Sequence, residues 1–226
     1  MLPMGNVDGR RLSFFRAIVL RGDAGVGKTA VLHALADLGH PVLDLEALAG
    51  HRGSAFGGLG QLAQPDPRTF AARIAAVLAA AAGATLFAEI EGPAIGRLAV
   101  PHDLVAAIAA ADHIVLRDAF ERRVARIAGA YSDLPRADLI AAVARIEPRA
   151  GRAAARLAQT ALLAGDLPAA VAAILPYYDR AYAHQLVACP GTTLATIEVG
   201  DLAPVRLAER CAAQRYPAAW SANMEA

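Results

Sequence analysis

Along the first half of this chain, short unbroken apolar runs alternate with longer periodic ones. The run over 14–20 (FFRAIVL) is short, rich in β-branched residues and stopped by Gly22, which predicts a buried strand. Residues 29–38 repeat apolar positions at helical spacing up to Gly39, a common helix stop. The pattern then predicts a strand over 42–45, a glycine-rich loop over 50–60, a helix over 66–82 and a strand over 85–90. A helix over 101–110 and a strand over 113–117 follow. From 120 to 182 the spacing is almost wholly helical, with Pro135, Pro148 and Pro168 as expected helix starts. A last strand is expected over 192–200 and a closing helix over 202–214. Strand and helix alternating at crossover spacing imply a parallel sheet with helices on both faces.

Composition narrows the classes. The chain has 226 residues, 56% apolar and 19% charged, enough to bury a sizeable core. Its net charge of +1 announces neither a broadly basic nor an acidic partner. Cys189 and Cys211 stand apart without a CxxC or a nearby pair of histidines, which argues against a metal site and fits a reducing cytoplasm. The N-terminal stretch lacks a long apolar segment and a cleavage site, so no signal peptide is expected. Residues 70–90 are apolar but carry Arg73 and break at Gly83, so a soluble helix and a buried strand are expected there, not a membrane span of about 20 apolar residues. The expected location is cytoplasmic, with no membrane partner.

One residue stands out against this background. Lysine and arginine number 22, and Lys28 is the only lysine. It lies in Gly22, Asp23, Ala24, Gly25, Val26, Gly27, Lys28 and Thr29, which matches G-x4-G-K-[ST] between a predicted strand and a predicted helix. Glycines let successive backbone N–H groups turn inward as an anion cradle at the positive end of a helix. Lysine offers the outer phosphates a compact charge that arginine's planar fork does not reproduce, and the threonine hydroxyl can hold Mg²⁺. The expected fold is therefore α/β, a kinase-like P-loop NTPase sheet flanked by helices. One P-loop domain is expected over 1–226, with its core over about 12–118 and 190–226 and a helical lid region over about 119–185. An empty cradle gains nothing from a nearby cation, so Lys28 is expected to matter for ligand binding and hardly for stability.

A phosphate loop that binds Mg²⁺ usually takes an acidic group from the end of a neighbouring strand. Asp44, Glu46, Glu89 and Glu91 are the candidates for catalysis, with Asp44 and Glu89 beside Thr29 as expected metal ligands. After the second strand, His51, Arg52, Gly53 and Ser54 sit in a loop at the same end of the sheet, where they could hold a phosphate or polar substrate. Nine arginines lie between 117 and 156. Most are read as solvated helical faces, with one or two, Arg123 among them, expected to reach substrate or phosphate charge from a lid and others available to an RNA backbone.

The stretch GVGKT…LADLG…VLDLEALAGHRGSAFG resembles the P-loop domain of bacterial tRNA 2-selenouridine synthases, in which a strand ends in D-L-E and runs on to H-R-G-S-x-F-G. Three further stretches agree: EIEGPAIGRLAVP, ERRVARIAGAY and LLAGDLPAAVAAILPYYDRAY. Gly92 stands where the family has serine, and Arg180 where it has proline. The resemblance runs from about residue 18 to residue 185 and implies a transferase acting on the wobble 2-thiouridine of tRNA, geranylating its sulfur from geranyl diphosphate and replacing sulfur with selenium. The family's full-length enzymes carry a rhodanese domain with an active-site cysteine ahead of the P-loop domain. Only about 15 residues precede the first predicted strand here, so a rhodanese protein is expected as a possible separate partner. Two other readings fit the residues: a small-molecule kinase using ATP or GTP on a small phosphate-accepting substrate, and a nucleotide-dependent interaction module without turnover.

Overall fold

The computed structural model describes residues 6–7, 10–11, 16–81, 83–89, 92–187 and 190–214. A two-residue antiparallel pair, β1 (Asn6–Val7) and β2 (Arg10–Arg11), precedes the central sheet. That sheet contains β3 (Arg16–Arg21), β4 (Val42–Asp44), β5 (Thr85–Glu89), β8 (Asp112–Arg117) and β9 (Thr193–Glu198), in the order β4-β5-β3-β8-β9 and parallel throughout. The phosphate-loop strand β3 is central: the chain crosses from it to the edge strand β4, returns to place β5 between them, and then adds β8 and β9 on the other side. Such a switch in direction opens a crevice beyond the carboxyl ends of the strands.

Both faces of the sheet are covered, which is why the strands read as continuous apolar runs. Val19, Leu86 and Ala88 pack with Phe70, Ile74 and Leu78 of α3 (Pro67–Ala80) and with Leu104 and Ile108 of α4 (His102–Ala110). Their strand neighbours Ile18, Leu20 and Phe87 turn to the opposite face, against Val31, Leu32 and Leu35 of α1 (Lys28–Asp37) and Leu207 and Cys211 of α9 (Pro204–Ala212). This is the doubly covered parallel sheet of a P-loop NTPase, as the alternating pattern implies. Among the described residues no helix is long and apolar enough to cross a membrane. Cys211 is buried in the core, and Cys189 lies outside the described residues.

Two details depart from the pattern-based reading. A short helix α2 (Leu45–Ala49) begins where the second strand was expected to end, capped by the Asp44 side chain, which accepts from Ala47 N at 2.8 Å. A hairpin of two-residue strands, β6 (Ala94–Ile95) and β7 (Leu98–Ala99), turns through Gly96 at φ 58°, where a side chain would meet Gln64 Oε1 at 2.3 Å.

The helical region resolves into α5 (Phe120–Tyr131), α6 (Arg136–Ala150), α7 (Arg152–Leu163) and α8 (Leu167–Val187). Pro135 caps α6 and Pro168 lies in the first turn of α8, but Pro148 sits inside α6 and starts nothing. The break falls instead at Gly151, whose φ of 93° no helix interior adopts. Leu139, Val143 and Ile146 of α6, Ala155, Ala158 and Leu162 of α7, and Ala170 and Ile174 of α8 form a third apolar cluster, on which Phe56, Leu59 and Tyr131 also pack. The loop after α2 thus bridges the sheet's carboxyl edge and the helical cluster.

A buried histidine makes stability pH-dependent. His113 is 5% exposed, and its Nε2 lies 2.8 Å from Thr193 Oγ1. Burial, aided by the Arg21 guanidinium, holds its imidazole below the ordinary histidine value, and partial burial does the same to His51. The unfolded chain therefore takes up these protons more readily than the folded one. Their stabilising effect is complete above pH of about 6.5 and is lost as pH falls, by up to ~1.4 kcal/mol per unit for each proton. Melting temperature is expected to drop by a few degrees between pH 7.5 and 5.5, and less so in His113→Gln. A flat wild-type profile over that range would contradict the assignment.

Candidate functional site

The segment from Gly22 to Thr29 wraps the carboxyl end of β3 and runs into α1, whose first amides open at Lys28. Three glycines take positive φ: Gly22 at 144°, Gly25 at 75° and Gly27 at 99°. A Cβ on Gly22 would stand 2.3 Å from Leu116 O on the next strand, so the loop lies against the sheet where only glycine fits. Lys28, 7% exposed, donates from Nζ to Gly22 O at 2.9 Å and to Asp23 O at 3.4 Å, and its ammonium lies 4.8 Å from the Tyr182 ring centroid. Thr29 Oγ1 donates to Glu89 Oε1 at 2.8 Å, across the β3–β5 pair.

Two arginines of α5 hold the loop through its carbonyls. Arg123 is buried and makes a two-pronged pair with Asp179 of α8, at 2.7 and 2.9 Å, while donating to Ala24 O at 3.2 Å. Arg126 donates to Gly25 O and, at 2.7 Å, to Asp118 Oδ2. These bonds, with that from Val26 N to Asp23 O at 3.2 Å, fix the backbone of the loop. The tyrosine-rich box of α8 thereby acquires its geometry. Asp179 anchors Arg123, Tyr182 covers Lys28, and Tyr178 lines the cavity beyond.

That cavity has a volume of about 510 Å³ and two contrasting ends. One is built from Gly25, Gly27, Lys28 and Thr29 with Arg52, Ser54 and Arg126; the other from Leu139, Val143, Leu162, Ala170, Val171 and Ile174 of α6–α8. Among the described residues, Glu46 is its one acidic lining residue. Burial pushes the Tyr178 hydroxyl up to about 12, so it stays protonated at neutral pH.

The structure places the expected residues unevenly. Ala24, Gly25, Gly27, Lys28, Thr29, Glu46, Arg52 and Ser54 come together on the cavity wall, and Glu89 stands behind Thr29. Asp44 does not join them: its carboxylate caps α2 and lies 2.7 Å from His33 Nε2. His51 is not on the cavity wall either, since its Nδ1 accepts from Gly53 N at 3.1 Å and its ring packs on Gly57 and Gly58, ordering the loop. Arg123 braces the loop through Asp179 and Ala24 rather than lining the cavity. Glu91 lies outside the described residues. Sequence reasoning missed Arg126 as a site residue, and Tyr131, Tyr178 and Tyr182 as walls. The only signal was their place in the two family-like stretches of α5 and α8.

Comparison with known proteins gives the family. The family model for the tRNA 2-selenouridine synthase AAA domain matches residues 15–163. A tRNA 2-selenouridine synthase of Verminephrobacter eiseniae is 34% identical over 208 residues, covering 77% of this chain and 55% of that protein. One from Marinobacter nauticus is 39% identical over 116 residues, covering 50% of this chain and 30% of its own length. One from Pseudomonas syringae pv. tomato is 42% identical over 119 residues, covering 50% and 31%. The aligned part of this chain thus spans between about a third and just over half of these relatives. Among solved structures, an unliganded sugar kinase from Janibacter sp. HTCC2649 aligns over 89% of this chain and 94% of its own at 16% identity, with a TM-score of 0.35. With its phosphate loop, D-L-E strand end and H-R-G-S loop inside the matched span, the chain belongs to the tRNA 2-selenouridine synthase AAA domain family.

Proposed function

We propose that this chain acts in tRNA modification by transferring a prenyl group, geranyl in the first instance, from its diphosphate to the sulfur of wobble 2-thiouridine. The two-ended cavity carries this reading. An anion cradle with Lys28 and Arg126 at one end suits a diphosphate, and a far end lined by leucine, valine, isoleucine and alanine suits a hydrocarbon chain. The side chains of Leu139, Val143 and Val171 would offer the polar edge of a purine no hydrogen bonds. That weighs against the kinase reading.

The donor set also fits a magnesium ion. Thr29 Oγ1 and Glu89 Oε1 are hard oxygen donors 2.8 Å apart at the edge of the phosphate loop, where such an ion takes one or two protein oxygens and keeps its waters. Bound there, Mg²⁺ would neutralise charge on a departing diphosphate. The chain's own residues do the remainder. Loop amides and Lys28 hold the diphosphate, Arg126 lies within reach of it, and α6–α8 exclude water from the prenyl chain. Replacement of sulfur by selenium belongs to the same proposed system and draws on the names of the relatives, and a separate rhodanese-domain partner draws on the family resemblance of the sequence.

The test mixes the purified chain with thiolated tRNA, Mg²⁺ and geranyl diphosphate, with and without a rhodanese protein, and reads nucleoside mass. The expected product is a geranyl adduct on 2-thiouridine. No tRNA binding and no modified uridine under either condition would overturn the proposal.

A further inference from the structure

Three acidic residues gather at the carboxyl end of β4 and β5, and the structure gives each a different place. Asp44 is committed to His33 and the α2 cap, and Glu89 accepts from Thr29. Glu46, in the first turn of α2, is the carboxylate that lines the cavity among the described residues. A negative group on the wall of an anion-binding cavity opposes the ligand's charge, so its presence calls for a chemical reason.

Its neighbours supply one. Arg52 is exposed, donates to Ala130 O at 3.2 Å, and holds its guanidinium 5.5 Å from the Tyr131 ring centroid. Phe56 meets Tyr131 edge-on at 6.2 Å. The Tyr131 phenol is held above its usual range by burial and, to a lesser degree, by the nearby negative charge of Glu46, while Ser54 and Arg52 act in the opposite sense. Glu46 of α2, Arg52 and Ser54 of the loop that follows it, and Tyr131 at the end of α5 thus share the cavity wall. A planar guanidinium backed by aromatic rings is a surface on which an unstacked base lies flat.

We propose that this wall seats the pyrimidine ring of the acceptor nucleoside against Arg52 and Tyr131, and that Glu46 accepts the ring N–H proton during transfer. The inference rests on the prenyl-transfer reading above. The thiocarbonyl sulfur attacks the first carbon of the prenyl diphosphate. A C–S bond forms, the C–O bond breaks, and its electron pair leaves with the diphosphate held by the loop. Alkylation makes the adjacent ring N–H acidic, and that proton passes to the Glu46 carboxylate, leaving a neutral S-alkylated ring. Glu46 is thus a catalytic residue, and Arg52 and Tyr131 hold the base.

The experiment uses the full chain, Mg²⁺, geranyl diphosphate and a thiouridine-containing anticodon stem-loop, with the rhodanese protein added in a parallel arm. Glu46→Gln is expected to slow transfer roughly 10²–10⁴-fold, the usual worth of a positioned base. Geranyl diphosphate affinity should not fall, because removing a negative charge from the wall favours an anion, and the Mg²⁺ midpoint should stay within about twofold of wild type. The wild-type rate should rise with pH through the ionisation of one carboxylate, and that acid limb should vanish in Glu46→Gln and persist, shifted, in Glu46→Asp. Arg52→Ala and Tyr131→Leu should raise the half-saturating RNA concentration by a larger factor than they weaken geranyl diphosphate binding. Wild-type transfer with an unaltered Glu46→Gln rate and pH profile would overturn the role of Glu46 alone. A shifted Mg²⁺ midpoint in Glu46→Gln would make it a metal-site residue and overturn the proposal too. Absence of transfer by the wild type in both arms would overturn the prenyl-transfer reading itself, and the base subsite with it.

Discussion

Replacing Lys28 with alanine is expected to weaken binding of diphosphate ligands by roughly tenfold to more than a hundredfold, the worth of a charge-assisted contact of about 1.5–3 kcal/mol. The ammonium is buried at the mouth of the loop, where solvent screens it little. Lys28→Arg should recover little of the loss, because a planar fork cannot take the same place between Gly22 O, Asp23 O and the Tyr182 ring. The structure also revises the expectation that stability is hardly touched. Lys28 satisfies two loop carbonyls, so Lys28→Ala should cost about 1–2 kcal/mol of folding stability even without ligand. Calorimetric titration of geranyl diphosphate, with melting curves alongside, checks both effects. Wild-type affinity in Lys28→Arg would mean that the lone lysine has no special role.

The second large effect is expected at the Arg123–Asp179 pair. Arg123 is 5% exposed and couples three elements: α5, α8 through Asp179, and the phosphate loop through Ala24 O. Removing one partner of a buried pair leaves an uncompensated charge, which costs about 3–5 kcal/mol in a dry site. Asp179 retains 28% side-chain exposure, which places Asp179→Ala nearer the lower figure. A loss of about 3 kcal/mol corresponds to a melting temperature lower by roughly 6–12 °C in a chain of this size. Diphosphate affinity should fall as well, because Arg123 loses the anchor that aims it at Ala24 O. The double variant Arg123→Met/Asp179→Leu should recover most of the stability and little of the affinity, since apolar replacement of both partners removes the buried charge but not the loop's need for a brace. Equal recovery of both would show that Arg123 does not orient the loop.

These two sites differ in how far the sequence announces them. The phosphate loop is legible because its chemistry is local: glycine spacing, one lysine and one threonine are contiguous, and the flanking strand and helix follow from hydrophobic period alone. Glu89 is legible as the polar end of an apolar strand beside β3. Asp44 and Glu46 could not be told apart, because alternation assumes that a strand continues, whereas β4 stops and α2 starts at Leu45. One residue becomes a cap and the other a cavity wall. Arg123, Arg126 and Tyr182 depend on how α5 and α8 dock on the loop, a relation between segments that no periodicity encodes. The two-residue strands β6 and β7 are too short for an alternation to register.

The proposed use of the two-ended cavity can be tested without tRNA or a partner protein. Inorganic diphosphate, geranyl diphosphate and ATP are titrated into the chain under identical Mg²⁺ and salt, and their dissociation constants compared. Burying about four methylene equivalents of the prenyl chain among the α6–α8 residues, at roughly 0.8 kcal/mol each, predicts that geranyl diphosphate binds about 10²-fold tighter than inorganic diphosphate. ATP should gain no such advantage over diphosphate. Equal affinity for geranyl and inorganic diphosphate, or tighter binding of ATP than of geranyl diphosphate, would contradict the account.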